Sequence, residues 1–288
     1  MDILKGEVTI ERAARGKPHR GKVLAVIAPH SDDVPFFCGG AVAKLIQEGY
    51  TGYLIRVTND EKDSYGITMG ETVLGNERDT REVARILGLK QVFDLNYRNH
   101  RVDDVPRTEF RGRLILLFRL LKVDTVFSFD PWGHYEENPD HYVTAQMVEA
   151  ACWMAGCRMD LPEQQAAGLK PHAVSEKYYW ARGPQLVSRV VDISPYIDLK
   201  MKAGCANVTQ IGNMVHSLKD RLAAQGKKLP ILEADDETAI RQFLEVFLVG
   251  EAAKVGQAYG LKYAEQFHYI GPDPSIAEYV DKHAVPLK

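Results

Sequence analysis

The feature that most constrains the fold is an unbroken apolar run, residues 23–28, that ends in a histidine and two carboxylates. The run is followed by His30, Asp32 and Asp33, and a helical pattern comes next. A strand that is covered on both faces of a parallel sheet loses the usual alternation of apolar and polar residues, and the short β-branched run favours such a strand over a buried helix. The stretch therefore predicts a central strand with polar side chains at its carboxyl end, where open α/β sheets bind their ligands.

Strands and helices alternate through the first half of the chain. Further strands are predicted at residues 53–58, 92–95 and 125–129, with helical patterns between them. This alternation is typical of right-handed βα crossovers and predicts an α/β fold with a mostly parallel central sheet. The second half is less regular, and we predict strands at 177–180 and 188–193 and helices near 195–226 and 236–249.

The domain organisation is predicted to be simple. No Pro-, Gly- or Ser-rich linker interrupts the 288 residues, so we expect one domain over residues 1–288. Within it, the charged segment 1–22 is predicted to be a surface arm, and residues 270–288 a C-terminal extension.

The composition of the chain limits which binding partners and which cellular locations we expect for the protein. The net charge of -3 gives no general attraction to nucleic acid or to an anionic membrane. The first residues lack the apolar core of a signal peptide and no run reaches transmembrane length, so we expect a cytoplasmic location. The four cysteines show no CxxC pairing and are expected to be reduced thiols rather than a disulfide framework or a structural zinc knuckle.

A second polar segment follows the strand at 125–129. In it, Asn138 suits a helix N-cap, Pro139 the first helical position and Asp140 the positive end of the helix dipole. His141 then projects from the first helical turn, at the same edge of the sheet as His30. The two histidines come close together if the two strands are neighbours.

These two segments offer the ligands of a catalytic metal. Zinc in enzymes usually takes three nitrogen or oxygen ligands and keeps a further position open. His30 and Asp33 on one turn, with His141, would supply three such ligands, and Asp32 is left beside the ion to take a proton from water. Taken singly, a loop histidine is more often a surface residue and an Asp pair more often a helix cap. The combination at two strand ends favours the metal site.

The same residues resemble the LmbE/PIG-L family of zinc-dependent N-deacetylases. The resemblance rests on two paired motifs and runs in the same order from about residue 23 to 268. The motifs are Pro29-His30-Ser31-Asp32-Asp33 with Gly39-Gly40, and Asp130-Pro131 with Pro139-Asp140-His141. Supporting agreement lies at residues 81–88, 191–193, 198–200 and 263–267.

The resemblance implies a Rossmann-like three-layer fold and removal of an acetyl or related acyl group from an amino sugar or glycoconjugate. It makes His30, Asp33 and His141 the ligands of Zn²⁺, and Asp32 the general base for a zinc-bound water that attacks the amide carbonyl. Family members often form homo-oligomers, so we expect a homo-oligomer with a small-molecule or glycoconjugate substrate.

The sequence departs from the family pattern at the second motif. The family often has a histidine, thought to stabilise the oxyanion or act as an acid, where Asn138 stands here. Asparagine can donate a hydrogen bond to an oxyanion but cannot supply a proton at neutral pH. His134 and Glu137, in the same loop, are further candidates for this catalytic role. Asn207 to Gln210 replace a histidine-containing late motif, which we interpret as a structural difference.

Other polar and aromatic residues have more open interpretations. Substrate contacts are conceivable for Arg78 and Arg81, although a solvated helix face is the commoner environment. Tyr97, Trp132 and Tyr135 lie in predicted loops at the mouth of the site, where they would stack on a sugar ring or pack within the loops. The remaining histidines at positions 100, 172, 216, 268 and 283 have no partner at ligand spacing.

Our leading hypothesis is thus a zinc-dependent N-deacetylase. One alternative is a catalytically impaired family member that keeps the metal pocket, motivated by Asn138. Another is a Rossmann-like protein that binds a nucleotide or an adenosyl cofactor. That alternative lacks a Gly-rich phosphate loop and leaves the polar end of the first strand without a function.

Overall fold

A single eight-stranded sheet organises the protein. The computed structural model describes residues 8–272 and 274–286. The strands are β1 (Thr9–Glu11), β2 (Val23–Ala28), β3 (Thr51–Thr58), β4 (Gln91–Tyr97), β5 (Thr125–Phe129), β6 (Glu176–Trp180), β7 (Arg189–Asp192) and β8 (Ala264–Ile270). Their order across the sheet is β1-β7-β8-β6-β5-β2-β3-β4.

Most of the strand pairings are parallel. The pairs β1·β7, β2·β3, β2·β5, β3·β4 and β5·β6 are parallel, whereas β8 runs antiparallel to β6 and β7. The predicted α/β class with a mostly parallel sheet is confirmed. The sequence left open whether the strands at 23–28 and 125–129 are neighbours; they are, and they pair from Leu24 with Thr125 to Val26 with Phe127.

Ten α-helices surround the sheet in the described part of the chain. They are α1 (Gly39–Gln47), α2 (Met69–Leu87), α3 (Arg107–Leu121), α4 (Pro139–Ala155), α5 (Pro162–Ala166), α6 (Ile197–Ala206), α7 (Val208–Ala223), α8 (Asp236–Leu244), α9 (Gly250–Ala258) and α10 (Pro274–His283). Single turns of 3₁₀-helix lie at Val102–Asp104, Ser194–Tyr196 and Pro230–Leu232, and single π-helical turns at Val34–Cys38 and Glu245–Val249. None of the helices described is long and apolar enough to cross a membrane.

The apolar run in β2 is explained by burial on both of its faces. Leu24 and Val26 belong to a hydrophobic cluster that includes residues of α1 and α2, whereas Ala25 and Ile27 belong to a cluster with α3 and α4. Successive side chains of a strand point to opposite faces of the sheet, so every residue of β2 meets a core. The result is a three-layer arrangement of helices, sheet and helices.

A third hydrophobic cluster is local to the second half of the chain. Its buried members are Ile211, Val215, Leu232, Ala239, Ile240, Phe243, Leu244 and Leu248. The predicted helix near 195–226 is divided, because Asn207 adopts a backbone conformation (φ -88°, ψ 59°) that separates α6 from α7. Helices α7 and α8 then pack as a separate layer over the carboxyl edge of the sheet.

The predicted surface arm and the predicted C-terminal extension both contain regular secondary structure. Residues 9–11, inside the predicted surface arm, form the edge strand β1 beside β7. The strand is held by Glu11, whose carboxylate lies 2.7 Å from Lys44 Nζ and 2.8 Å from Arg189 Nη1. The predicted extension contains α10, while residues 1–7, 273 and 287–288 lie outside the described part. Strand β8 is not among the predicted strands.

Candidate metal centre

The carboxyl end of β2 and the first turn of α4 bring three potential ligands together. His30 Nδ1 lies 3.0 Å from His141 Nε2 and 3.8 Å from Asp33 Oδ2, and His141 Nε2 lies 3.8 Å from Asp33 Oδ1. All three residues are buried. One ligand atom from each lies within 4.8 Å of the others, which is a spacing that could hold a metal ion.

In each of the two histidines, the ring nitrogen that points away from the other candidate ligands faces a carboxylate. Asp140 Oδ2 lies 3.0 Å from His30 Nε2, and Glu136 Oε1 lies 3.2 Å from His141 Nδ1, although the latter contact is not aligned as a hydrogen bond. Arg182 donates to both oxygens of Glu136. Carboxylates in this position fix the ring orientation of metal-binding histidines and raise their basicity.

The donor set fits a cation of the zinc type. With their outer nitrogens directed at carboxylates, His30 Nδ1 and His141 Nε2 present two lone pairs toward each other and toward the Asp33 carboxylate. Three such acceptors require a cation between them. Two nitrogens that each lie at about 2.0–2.1 Å from a tetrahedral zinc are about 3.3 Å apart, which is close to the observed 3.0 Å.

The two histidines differ in their electrostatic surroundings. Burial opposes the charged form of His30, but the hydrogen bond to Asp140 and the charges of Asp33, Asp60 and Asp32 outweigh it and raise its pKa to about 10. Burial lowers the pKa of His141 to about 4, with Glu136 opposing this shift. The surrounding carboxylates thus favour a positive charge at His30, whether a proton or a bound metal ion supplies it.

Asp32 is a further carboxylate that lies beside the candidate ligands in the same turn. It is half-buried, and its backbone N–H donates to Gln210 Oε1 at 3.0 Å. Burial raises the pKa of its carboxyl to about 6, with His30 opposing the shift and Asp63 adding to it. A carboxylate that titrates near neutral pH can accept a proton from water in a general-base step.

These groups line one cavity of about 580 Å³. Its polar lining consists of the candidate ligand residues with Asp32, Asp63, His100, Asn138, Arg182, Gln210, Asn213 and Arg221. Its apolar lining consists of Phe36, Phe37, Met214, Leu218, Phe243 and Phe247. Helix α7 contributes both kinds of residue, and Phe243 lies on α8.

The structure brings only one of the candidate loop residues to this cavity. Asn138 caps α4, accepting the backbone N–H of Asp140 at 2.9 Å, and its Nδ2 lies 3.5 Å from His141 Nε2. His134 and Glu137 are exposed and do not line the cavity. Tyr135 is 89 % exposed.

Four further predicted contact residues also lie away from the cavity. Trp132 packs near His268, with ring centroids 5.5 Å apart, and is 54 % exposed. Arg78 and Arg81 lie on the outer face of α2, where they pair with Asp79 and Glu77. The Tyr97 hydroxyl donates to Glu109 on α3. The structure therefore does not bring these four side chains to the candidate ligands.

Several residues of the site are not predicted from the sequence. Asp140 is predicted only as a helix-dipole partner, although it contacts His30. Glu136 and Arg182 support His141, and Gln210 supports Asp32 from a segment that the sequence presents as a structural difference. His100 has no neighbour at ligand spacing in the sequence. The sequence does contain a signal that could have identified Asp140 and Glu136 as site residues, because both are acidic and lie within five positions of His141.

Comparisons with known proteins agree with this geometry. A family model described as PIG-L, GlcNAc-PI de-N-acetylase, matches residues 25–152. A diacetylchitobiose deacetylase of Thermococcus kodakarensis is 30% identical over 190 residues, which cover 63% of this chain and 67% of that protein.

Two solved structures share the fold over most of the chain. The N,N'-diacetylchitobiose deacetylase of Pyrococcus horikoshii, in complex with an inhibitor, superimposes with a TM-score of 0.70 at 25% identity and covers 93% of this chain and 88% of its own. A conserved protein of Thermus thermophilus gives a TM-score of 0.62 at 26% identity, with 87% and 94% covered.

Proposed function

The chain belongs to the PIG-L family and is an N-deacetylase, and from that premise we propose that it hydrolyses the N-acetyl group of an amino sugar at the His30, Asp33 and His141 site. The observation that carries this proposal is the convergence of two histidine lone pairs and one carboxylate beside the free carboxylate of Asp32. Zinc is the proposed cofactor, since two imidazoles and one carboxylate are a common ligand set of catalytic zinc.

His30, Asp33 and His141 would hold the metal. When bound, zinc supplies a Lewis acid for the amide carbonyl and lowers the pKa of a water in its open position. Asp140 would keep the ring of His30 in the tautomer that this requires, and Glu136 lies 3.2 Å from His141 Nδ1. Arg182 in turn keeps Glu136 in place through its two hydrogen bonds.

The other residues of the cavity act on water and on the amide. Asp32 accepts the proton of the attacking water, for which its near-neutral pKa is suited. The proposed role of the Asn138 amide, which lies 3.5 Å from His141 Nε2, is to donate a hydrogen bond to the carbonyl oxygen as that oxygen becomes negative.

The proposed substrate class is a small-molecule amino sugar. The curated relative and the Pyrococcus structure are both diacetylchitobiose deacetylases by name. Asp63 and Asn213 line the cavity beside the candidate ligands and can bind sugar hydroxyls. The apolar residues that line the cavity can pack against the C–H face of a sugar ring.

The test is acetate release from N-acetylglucosamine and N,N'-diacetylchitobiose by the purified protein, with its zinc content measured in parallel. We expect Asp32→Asn to lower kcat by about 10²–10⁴ while zinc is retained, and Asp33→Ala to lose both zinc and activity. Asp103→Asn, an exposed aspartate outside the cavity, is the matched control. Zinc content that is unchanged in Asp33→Ala would contradict the ligand assignment.

The same assay separates the alternative that Asn138 suggests. A catalytically impaired member would bind zinc and sugar but release no acetate from any N-acetylated sugar tested. A nucleotide-binding function is less favoured, because Asp32, Asp33 and Asp63 would repel a phosphate group, although Arg182 and Arg221 line the same cavity. Heat protection by a nucleotide without metal would revive it.

A homo-oligomer and a cytoplasmic location are further parts of the proposal. Leu116 and Leu120 on α3 and Trp153 on α4 are 41 %, 54 % and 73 % exposed, which provides apolar surface for contact between copies of the chain. The mass in solution, measured by light scattering, tests the first part. A monomer at micromolar concentration would contradict it.

A further inference from the structure

The cavity contains one imidazole that the proposed function has not used. Three histidines line it, His30, His141 and His100, and the first two are the proposed metal ligands. Asn138 can donate a hydrogen bond but has no proton to transfer. We propose that His100 is the catalytic residue that gives a proton to the leaving amine nitrogen. This inference rests on the proposed deacetylase function.

The position of His100 fits that role. It lies in the loop that follows β4, at the same edge of the sheet as the candidate ligands. Its ring centroid is 6.5 Å from that of His30, with the rings nearly perpendicular at 81°. The side chain is exposed to the cavity rather than packed in a core. It therefore borders the same space as Asp32 and Asn138.

The backbone at His100 is held in an unusual conformation. Its φ is 59°, in the left-handed region that side-chain-bearing residues rarely adopt. Asp140 Oδ2 accepts the backbone N–H of His100 at 2.7 Å, and Asp140 Oδ1 accepts that of Val102 at 3.1 Å. Backbone strain of this kind persists where surrounding contacts impose it, and it is frequent at active sites.

The same carboxylate also fixes the neighbouring ligand. Asp140 Oδ2 lies 3.0 Å from His30 Nε2, so one side chain sets both the ring of a proposed ligand and the loop that carries His100. This shared anchor fixes the loop backbone that carries His100 relative to the ring of His30.

The named groups account for every atom and proton of the reaction. Water adds its oxygen to the amide carbonyl carbon and gives one proton to Asp32. The C–N bond then breaks, its electron pair goes to nitrogen, and that nitrogen takes a proton from His100. The products are the free amine and acetic acid, which keeps the second proton of the water and at neutral pH gives it to the amine or to solvent. The proton held by Asp32 replaces the one that His100 has donated. No further reactant is required.

The rival candidates are less well placed. His134 is exposed, and its backbone N–H donates to the carbonyl of Pro184, in a loop outside the cavity. Glu137 is also exposed and outside the cavity. Asn138 is next to His141 and suits the carbonyl oxygen. The two functions of the family's single histidine are thus divided between Asn138 and His100.

The test uses His100→Gly in the zinc-loaded full-length protein. Glycine adopts a positive φ freely, so the fold is kept and Tm is expected to be unchanged or higher. We expect kcat on N-acetylglucosamine to fall about 10²–10³-fold, with KM within about threefold and zinc stoichiometry unchanged. Added imidazole should restore part of kcat in His100→Gly. His100→Gln, which keeps a donor without a transferable proton, should remain as slow.

The matched control is Asn96→Gly, at φ 56° in β4 and outside the cavity, which should keep full activity. His134→Ala tests the rival residue and should also keep full activity. A kcat of His100→Gly within about threefold of the natural chain overturns the inference, as does a loss of zinc that parallels the loss of activity. A natural chain without turnover would instead contradict the proposed deacetylase function itself.

Discussion

Gln210 connects α7 to the loop after β2 and so joins two parts of the chain that are 178 residues apart. Its Oε1 accepts the backbone N–H of Asp32 at 3.0 Å and also contacts the Ser31 hydroxyl. Gln210 lines the cavity, and only 4 % of the residue's surface is exposed. Gln210 is therefore placed to position the proposed general base.

Replacement of Gln210 by alanine should affect catalysis more than folding. The backbone N–H of Asp32 would lose its acceptor, and a shift of the carboxylate by a fraction of an ångström is expected to lower kcat by about 10- to 100-fold. Steady-state kinetics with zinc analysis measures this effect. Gln257→Ala, exposed on α9, should be silent. An equal loss in both variants would remove Gln210 from the site.

The candidate ligand residues can be predicted as a group, because residues close together in the sequence are also close together in the structure. His30 and Asp33 share one turn, and His141 follows a recognisable N-cap, so only the strand order has to be supplied. Arg182, Gln210 and His100 cannot be predicted in this way, since each reaches the cavity from a separate segment. Their positions depend on how the layers pack, which local patterns do not encode.

The direction in which a single side chain points also cannot be predicted from the sequence. Arg78 is a candidate for substrate contact because it is on a helix near the site. The helix is present, but this residue faces solvent and its side chain is 73% exposed. A helical residue turns by about 100° relative to the one before it. A shift of one position thus separates the buried Asp79 from the exposed Arg78.

Among the elements, α1 begins so close to the turn after β7 that its second residue has no room for a side chain. A Cβ placed on Gly40 would lie 2.7 Å from Ile193 Cβ and Cγ2. We expect Gly40→Ala to destabilise the fold by about 1–3 kcal/mol, measured as a lower denaturation midpoint. Gly70→Ala, in α2 with no atom within 4 Å, is the control and should be neutral or stabilising. Equal midpoints in the two variants would contradict this account of the packing.

The edge strand β1 depends on a buried charge contact. Lys44, Arg189 and the Tyr178 hydroxyl all bond to Glu11. Burial opposes the charged form of Glu11, but the charge of Lys44 and these hydrogen bonds outweigh it and hold the pKa of the carboxyl below its ordinary value of 4.5. A folded-state pKa below the unfolded value stabilises the protein above the unfolded pKa, and this stabilisation is lost as the pH falls through the folded pKa.

Glu11→Gln should therefore be less stable than the natural chain in a pH-dependent way. We expect a loss of about 1–3 kcal/mol at pH 7, because a partly buried charged acceptor is replaced by a neutral one. The difference should shrink as the pH falls below about 4.5. Urea midpoints at neutral pH and at two pH values down to about 4 measure it, with the exposed Glu233→Gln as control. A difference that is constant with pH would show that the charge of Glu11 is unimportant.

On the scale of the whole molecule, the candidate metal centre gathers acidic groups in the interior. Asp33 and Asp60 are buried beside His30, and Asp32 lines the same cavity. Burial raises the pKa of Asp60 to about 7, against the opposing charges of His30 and Arg56. Such a cluster is costly without a cation, because like charges repel in a medium of low polarity.

Removal of the metal should consequently lower the stability of the entire fold. We expect a chelator to decrease Tm and added zinc to restore it, since a ligand that binds only the folded state contributes about 2.7 kcal/mol at a hundredfold excess over its Kd. Differential scanning calorimetry measures the shift. Asp33→Ala should show no response to zinc, whereas Asp103→Asn should respond like the natural chain. A response retained in Asp33→Ala would contradict the proposed ligand set.

The layout of the sheet is only partly predictable for a related reason. Parallel βα units follow one another along the chain, so the strands from β2 to β6 can be predicted from local sequence patterns. Strands β1 and β8 join by pairing with strands far away in sequence, and their short or polar segments carry no strong periodic signal. The charged surroundings of β1 favour an arm, although Glu11 is held by contacts with α1 and β7.

The antiparallel insertion of β8 has a consequence for the order of folding. The segments that carry His30, Asp33 and His141 are complete once α4 has been synthesised, and they can pair as a parallel subset of strands. Strands β7 and β1 are joined to that subset only through β8, which is made last among the described strands. A nascent chain thus carries an unpaired edge at β6 until β8 has been synthesised, and an unpaired strand edge can pair with other chains.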